Sequence, residues 1–510
     1  MSTITIAGFP ASTKAPGVKT LITHGAGAIS LGSQPQTLLL VGGKRSAGSA
    51  TVDVSVVDVY SETDADTYFG SGSELATMCY AALQTGLNIK AAPVADNVSP
   101  TAATATITVT GTWTTAGSVD IIIGGGAGKA GGDTLSISIS ASQVLGDVAA
   151  AISAAVQAKS QLCCSGSVAL GVATLTAKTT GTVGNSLAVY VDQTNVPSGC
   201  VVTLTGGTAL SGQGTTIVGK RFTGGAGARD LTNILAVLDP GDYDTVAFAD
   251  NDATNAARVK AWIASRAAIG AQRYSHAVYA KSTSYSTPAS LASSTLNDVR
   301  ETVAWVYEGE SSEAVYAADL AAKVELSDQD HPNRNFDGVA LSKSAGQRYQ
   351  SQRPTSAQIE TALNNGVTPL DTVGGSPVIV SLITTHCLNG AASDYRTYDH
   401  GAAKVPDRIA QSLGLAWDTD IAPNFPYVRD NPEEGDPTPG DGVITPDLYA
   451  EDVTKFLREC EADNWIINVT DHPVACQYNA TGKHLLTVID VEPAPINHRV
   501  GLNIRNVTAA

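Results

Sequence analysis

The chain has 510 residues, too many for one ordinary core, so roughly two to four domains are expected. A formal net charge of −17 argues against a nucleic-acid binder, which needs a basic face for phosphate contacts. Hydrophobic residues make up 43% of the chain, which argues against disorder, and only 15% are charged, which leaves a surface rich in small residues.

Residues 1–20 read as an arm. Thr3-Ile4-Thr5-Ile6 alternates as a strand does, and Gly8, Pro10, Pro16 and Gly17 then break regular structure. No basic stretch leads into an apolar run there, so no signal peptide is read. No run is long and apolar enough to predict a membrane span, so no membrane insertion is expected. Residues 37–43 (TLLLVGG) read as a buried strand. Ser73 opens a helix whose apolar positions Leu75, Met78, Cys79, Ala82 and Leu83 keep a helical period, with Gly86 as a stop.

From about residue 96 to 222 the composition shifts to Thr, Val, Ser and Gly. Short alternating strands are predicted at Ala105–Val109, Ser118–Ile123, Thr134–Ser140, Ala173–Ala177 and Cys200–Leu204, with one helix at Val144–Ala158. This reads as a β-rich domain inserted into an α/β one. The α/β pattern resumes near Gly224. Helices are predicted at Asp230–Leu238, Thr254–Ala268, Leu291–Val299 and Ser312–Val324. Strands are predicted at Tyr243–Ala249, His276–Ala280 and Thr302–Tyr307.

Thr355 and Gln358 form a capping box, and Gly366 ends that helix. Asp399–Gly414 reads as a helix. Residues 429–443 form an acidic Pro/Gly loop. Thr445 and Pro446 start a helix with Tyr449, Val453, Phe456, Leu457 and Cys460 on its apolar face. Strands are predicted at Trp465–Val469 and Leu485–Val491. Val500, Leu502 and Ile504 then mark a period-2 strand at the end of the chain.

The catalytic motifs fail in detail. Gly126 to Gly131 satisfies GxGxxG, but a strand follows where a phosphate site needs a helix. Asn333–Gly338 mimics the start of an EF-hand loop, yet Ser344 stands where the bidentate Glu belongs. The acidic run at 430–441 lacks ligand spacing. The eight histidines are scattered, and no pair has metal-ligand spacing. Ser71, Ser165 and Ser211 lie near glycines, but no base can be placed beside them. Seven cysteines without a CxxC pair read as free thiols of a reducing compartment. No catalytic, cofactor or metal residue is assigned, and no enzyme activity is expected.

Leu363 to His386 reads LNNGVTPLDTVGGSPVIVSLITTH: a helix end, a strand, a Gly-Gly turn and a longer β-rich run. It resembles the central hairpin of contractile-tail sheath proteins, with Gly366, Val367, Leu370, Val378, Val380 and Leu382 as its core residues. The run AGSVDIIIGGG, followed by VATLTAKTTGTVGN, resembles the inserted domain of Mu-like phage sheaths. The resemblance implies a mixed α/β fold with a discontinuous, subtilisin-like core lacking catalytic residues. It divides the chain into an arm (1–20), a first core part (21–95), an inserted outer domain (96–222), the main core (223–386), a C-terminal domain (387–495) and an arm strand (496–510).

The resemblance also implies a structural subunit stacked in six-fold rings around a tail tube. Ile4, Ile6, Val500, Leu502 and Ile504 would add strands to neighbouring copies. Other partners would be the tail tube protein and the baseplate and tail terminator proteins. The protein would sit in a virion tail, assembled in the host cytoplasm. Two other classes fit parts of the composition: a secreted β-rich adhesin or surface-layer protein, and a subtilisin-like hydrolase needing a Ser/His/Asp set.

Overall fold

The computed structural model of the chain describes residues 36–84, 86–433 and 442–496. The arm strands at Ile4 and Ile6 and at Val500, Leu502 and Ile504 lie outside the described residues, as does most of the acidic loop.

The first segment supplies β1 (Thr37–Gly43), β2 (Val57–Asp58), α1 (Glu62–Phe69), α2 (Glu74–Ala82) and β3 (Asn88–Val94). The Ser73 hydroxyl caps α2 by accepting from the Ala76 N–H. Leu75, Met78, Cys79 and Ala82 are fully buried, as their spacing predicts. Burying a Leu or Met side chain contributes about 1.5–3 kcal/mol each.

The next segment holds β4 (Ala102–Gly111), β5 (Gly117–Ile123), β6 (Asp133–Ile139), α3 (Leu145–Gln157), β7 (Cys164–Ala169), β8 (Val172–Thr180), β9 (Ala188–Asp192), β10 (Cys200–Leu204), β11 (Thr208–Ala209) and β12 (Ile217–Arg221). They form two sheets, β10-β4-β8-β7 and β11-β12-β9-β5-β6, closed on a shared apolar core with α3. Alternation explains this packing: Ala103, Ala105, Ile107 and Val109 point inward while Thr104, Thr106 and Thr108 face out. Residues 124–132 link the paired strands β5 and β6, so the GxGxxG run is a hairpin loop.

The chain then gives α4 (Thr232–Leu238), β13 (Thr245–Phe248), α5 (Ala253–Arg266), β14 (His276–Lys281), α6 (Ser286–Ala289), β15 (Glu301–Trp305), α7 (Glu313–Asp328), α8 (Ser356–Asn364), β16 (Val367–Val373) and β17 (Ser376–Ile379). The predicted helix at Leu291–Val299 is corrected. A wide π-helical turn follows α6 and stops at Leu296, because Asn297 turns left-handed and its side chain bonds residues 387 and 388.

The main sheet runs β17-β16-β15-β14-β13-β1-β3-β2. The strands from β16 to β3 are parallel, and β17 and β2 are antiparallel edges. One face, with Leu38, Leu40, Ala247, Val278 and Ala304, packs against α2 and α7. The other face, with Leu39, Val41, Phe248, Tyr279 and Trp305, packs against α4 and α5. Helices on both faces of a parallel sheet define a doubly wound α/β fold.

The β16–β17 hairpin is the edge of this sheet. Val367, Leu370, Ile379 and Leu382 are buried, whereas Val378 and Val380 are only half-buried on the opposite face. The β-rich run after the turn is also shorter than its sequence suggests, ending at Ile379. Gly366 has φ +72°, and a Cβ there would fall 2.5 Å from the Thr385 carbonyl oxygen.

The last part contains β18 (Leu388–Asn389), β19 (Ala392–Ser393), α9 (His400–Ala416), α10 (Ala422–Asn424), β20 (Tyr427–Val428), β21 (Val443–Ile444), α11 (Pro446–Ala462), β22 (Ile466–Ile467), β23 (Ala475–Asn479), β24 (His484–Val488) and β25 (Glu492–Pro493). Its core joins Val405, Ile409 and Leu413 of α9 to Tyr449, Val453, Leu457 and Cys460 of α11. The strand predicted to reach Val469 is cut to two residues by left-handed Asn468, and the one predicted to reach Val491 ends at Val488.

Two glycine substitutions should move stability in opposite directions. Gly366→Ala meets both the αL penalty and the Thr385 carbonyl, and should cost at least about 1–2 kcal/mol. Gly146→Ala, in open space on α3, should gain up to about 1 kcal/mol. Thermal unfolding of both variants checks this, and a neutral Gly366→Ala would contradict the packing described.

Candidate functional site

In open α/β sheets, ligands bind beyond the C-terminal ends of the strands, where the strand order reverses. Here the order reverses between β1 and β13, so the diagnostic place lies beside Gly43 and Asp250. It is filled by the protein itself. Arg229 Nε donates to both Asp250 carboxylate oxygens, at 3.2 and 3.0 Å, and its Nη2 bonds Glu74 Oε1. The Gly43 N–H donates to the same Glu74 oxygen at 3.0 Å. A Cβ at Gly43 would lie 1.8 Å from the guanidinium, so only glycine fits.

The segment with β4 to β12 closes the rest of the crevice. The Thr179 hydroxyl accepts from the Glu74 N–H at 2.7 Å, and the Ser186 hydroxyl accepts from the Glu313 N–H at 3.2 Å. Arg221 donates to the Gly309 carbonyl at 3.0 Å. Beyond β13 and β14, Glu313 binds Asn251 and Ser282 and faces Lys281. Burial pushes its carboxyl up, but Lys281, Asn251 and Ser282 outweigh burial and hold it below the usual range. A cavity of about 20 Å³ remains among Glu74, Thr179 and Ser312, room for about one water. A nucleotide does not fit.

The serines flagged by sequence have no adjacent histidine among their hydrogen bonds. Ser211 donates to Glu308, and Ser165 donates to the Thr176 carbonyl. The Ser71 hydroxyl is buried without a partner. The structure does join two histidines that sequence reading left apart. His276 Nε2 lies 2.9 Å from the Thr302 hydroxyl, His400 Nε2 lies 3.0 Å from Asp328 Oδ2, and the rings meet edge-on at 4.6 Å. This resembles a catalytic relay in composition only. All four residues are at most 3% exposed, where the start of α9 meets the N-terminal ends of the strands. Burial, reinforced by His400, Lys404 and Arg300, holds His276 well below the usual histidine pKa. Among the described residues, no group of three His, Cys, Asp or Glu side chains could hold a metal, and no helix is long and apolar enough to cross a membrane.

What stays open is main chain. The outer side of β17 is already taken by residues 338–341, through Gly338 N–H to the Ile379 carbonyl and Leu341 N–H to the Pro377 carbonyl, each at 2.8 Å. The β23–β24 ladder differs. It pairs five residues with five, packs Cys476 and Leu485 toward α11, and has no third strand among the described residues. Sequence reading had marked β24 but missed β23, whose ACQYN lacks a clear alternation.

No protein-family model matches the chain, and no curated protein matches it. Among solved structures it is similar to the sheath tail protein of Desulfitobacterium hafniense, at 13% identity over 91% of this chain and 93% of that one, with a TM-score of 0.47. It is similar to the sheath tail protein Lin1278 of Listeria innocua, at 12% identity over 92% and 94%, with a TM-score of 0.46. It is also similar to the contracted helical sheath of the anti-feeding prophage, at 11% identity over 97% and 100%, with a TM-score of 0.45. All three neighbours are sheath proteins.

The Arg229 cluster makes a pH prediction. One guanidinium faces two buried carboxylates, and burial lifts Glu74 from 4.5 to about 7 against the pull of Arg229. The folded value exceeds the unfolded one, so this stability is complete below about pH 4.5 and lost as pH rises toward about 7, at up to about 1.4 kcal/mol per pH unit. Glu74→Gln keeps an acceptor for Gly43 and Arg229 but cannot titrate. Its melting temperature should fall less than that of the wild type between about pH 5 and 8. Equal slopes would show that Glu74 carries no linked proton.

Proposed function

We propose that this chain is the sheath subunit of a contractile tail. The carrying observation is the pairing of a filled crevice with a short ladder: the place where an α/β protein binds ligand is occupied by Arg229, Asp250 and Glu74, while β23–β24 is a two-stranded ladder with no third strand among the described residues. The terminal strands at Ile4/Ile6 and Val500/Leu502/Ile504 have the period-2 pattern such a ladder accepts. In this reading each arm adds to the β23–β24 hairpin of a neighbour. The β16–β17 hairpin, with Gly366, Val367, Leu370, Val378, Val380 and Leu382, serves as scaffold, and the segment 96–222 lies outward.

Copies stack as six-fold rings around a tail tube, with the tube protein inside and baseplate and tail terminator proteins at the ends. The extended lattice relaxes to a shorter one and drives the tube through the host envelope for genome ejection. Subunit contacts supply the energy, without a nucleotide, a nucleic-acid contact or membrane insertion. The subunit assembles in the host cytoplasm and ends in the virion tail.

Deleting residues 1–8, or residues 498–510, should abolish polymerisation while leaving a folded monomer. Negative-stain microscopy reads tubes or rings, and circular dichroism reads the fold. Normal tubes from both truncations would overturn the arm assignment.

A further inference from the structure

A second open feature lies between the 124–132 loop and the Gly374-Gly375 turn. It is a cleft of about 490 Å³, within the ~300–1,000 Å³ span of small-ligand pockets. Its lining carboxylate, Glu310, already accepts from Arg348, and the Gln350 and Gln347 side-chain oxygens accept from Arg353 and Thr372. Its donors are not all engaged. Gln347 is 4% exposed on the floor, and its Nε2 has no partner. Arg348 stacks on Tyr190 at 4.7 Å, and its Nε is likewise unpartnered. Lys129 spends one ammonium N–H on the Ser342 carbonyl, and an ammonium carries three. Burial lowers the Lys129 pKa, so an anion beside it would restore the favoured charge.

Spare donors beside satisfied acceptors call for a ligand that only accepts, namely a carboxylate. We propose that this cleft binds the acidic run 429–443 of a second copy of the chain. That run carries Asp430, Glu433, Glu434, Asp436 and Asp441 and few cations. A polyanion such as nucleic acid would meet the repulsion of a chain of net charge −17, whereas a short acidic peptide places a few carboxylates locally.

The contact is between copies for a topological reason. The cleft sits at the C-terminal ends of β15 and β16, beside Glu310, Thr372 and Gly374. The run is bounded by β20 and β21, in the part that α9 seats against the opposite, N-terminal strand ends through Asp407–Arg300 and Lys404–Asp244. Cleft and run therefore belong to opposite ends of one subunit. A contact joining them is heterologous and builds open, head-to-tail chains of copies.

The test is fluorescence anisotropy of a labelled peptide spanning residues 429–443 with the full-length protein at low salt. Saturable binding is expected, weakened about tenfold by Lys129→Glu or by Arg348→Gln, and abolished in a peptide with Asn and Gln in place of the acids. Circular dichroism confirms that each variant is folded. In the full chain, Glu433→Lys with Glu434→Lys should weaken self-association, and Lys129→Glu in a mixed partner should restore it. No peptide binding, equal binding of the amide peptide, or insensitivity to both cleft variants would overturn the proposal. Peptide binding is read whether or not tubes form, so its outcome is separate from that of the sheath reading.

Discussion

The guanidinium of Arg229 is the constraint on which the core depends. It comes from the segment that leaves β12 and leads into α4, and it reaches Asp250 beyond β13 and Glu74 at the start of α2. Breaking such a buried pair by removing one partner costs about 3–5 kcal/mol, because a charge is left without its counterion. The same contact fixes where the inserted strands sit. Asp96, at the outgoing junction of that segment, lies 3.9 Å from the same side chain. One cation thus ties both ends of the insertion to the reversal point of the sheet.

The opposite end of the sheet is closed by polarity of another kind. His400, Lys404, Asp407 and Arg408 on α9 are all buried, although a helix face turned to a core is ordinarily apolar. Arg300 meets Asp407 through two bonds at 2.8 and 2.6 Å, and His400 meets Asp328. Burial lifts Glu325, beside Lys404, to about 8. Such contacts add little net stability but tolerate few alternative orientations. The C-terminal part is therefore seated by direction, while its own interior, built on α9 and α11, is held by apolar packing.

Local signals in the sequence identified local structure. Ser73, Thr355 and Thr445 all cap the helices expected of them, because a cap depends on three or four adjacent residues. Strands with clean alternation were found. Among those missed, β7, β12 and β23 have a period blurred by Gly, Ser or mixed polar residues, whereas β3 and β9 are buried nearly throughout and do not alternate. The decisive contacts were not legible. Arg229 and Glu74 are 155 residues apart, and His276 and His400 are 124 apart, so no spacing rule links them. The hairpin at 363–386 was read as a scaffold, and its place at the sheet edge, closed by residues 338–341, depends on pairing that no local pattern encodes.

In the proposed sheath reading, a subunit that must hold its neighbours while a lattice changes shape needs two kinds of contact. One must persist through rotation, and main-chain ladders suit it, since their bonds do not depend on particular side chains and their linkers can swing. The other must be exchangeable, and partly solvated ion contacts suit that, since each is weak and is remade at little cost. In the proposed reading the chain separates these tasks in space. The β23–β24 ladder lies on the C-terminal part, and the cleft lies beside the Gly374-Gly375 turn of the core sheet. Between them stands a sheet whose reversal point is closed by Arg229 and the inserted strands and whose N-terminal strand ends are covered by α9. In that reading such a body would transmit force from one end to the other without rearranging its own core.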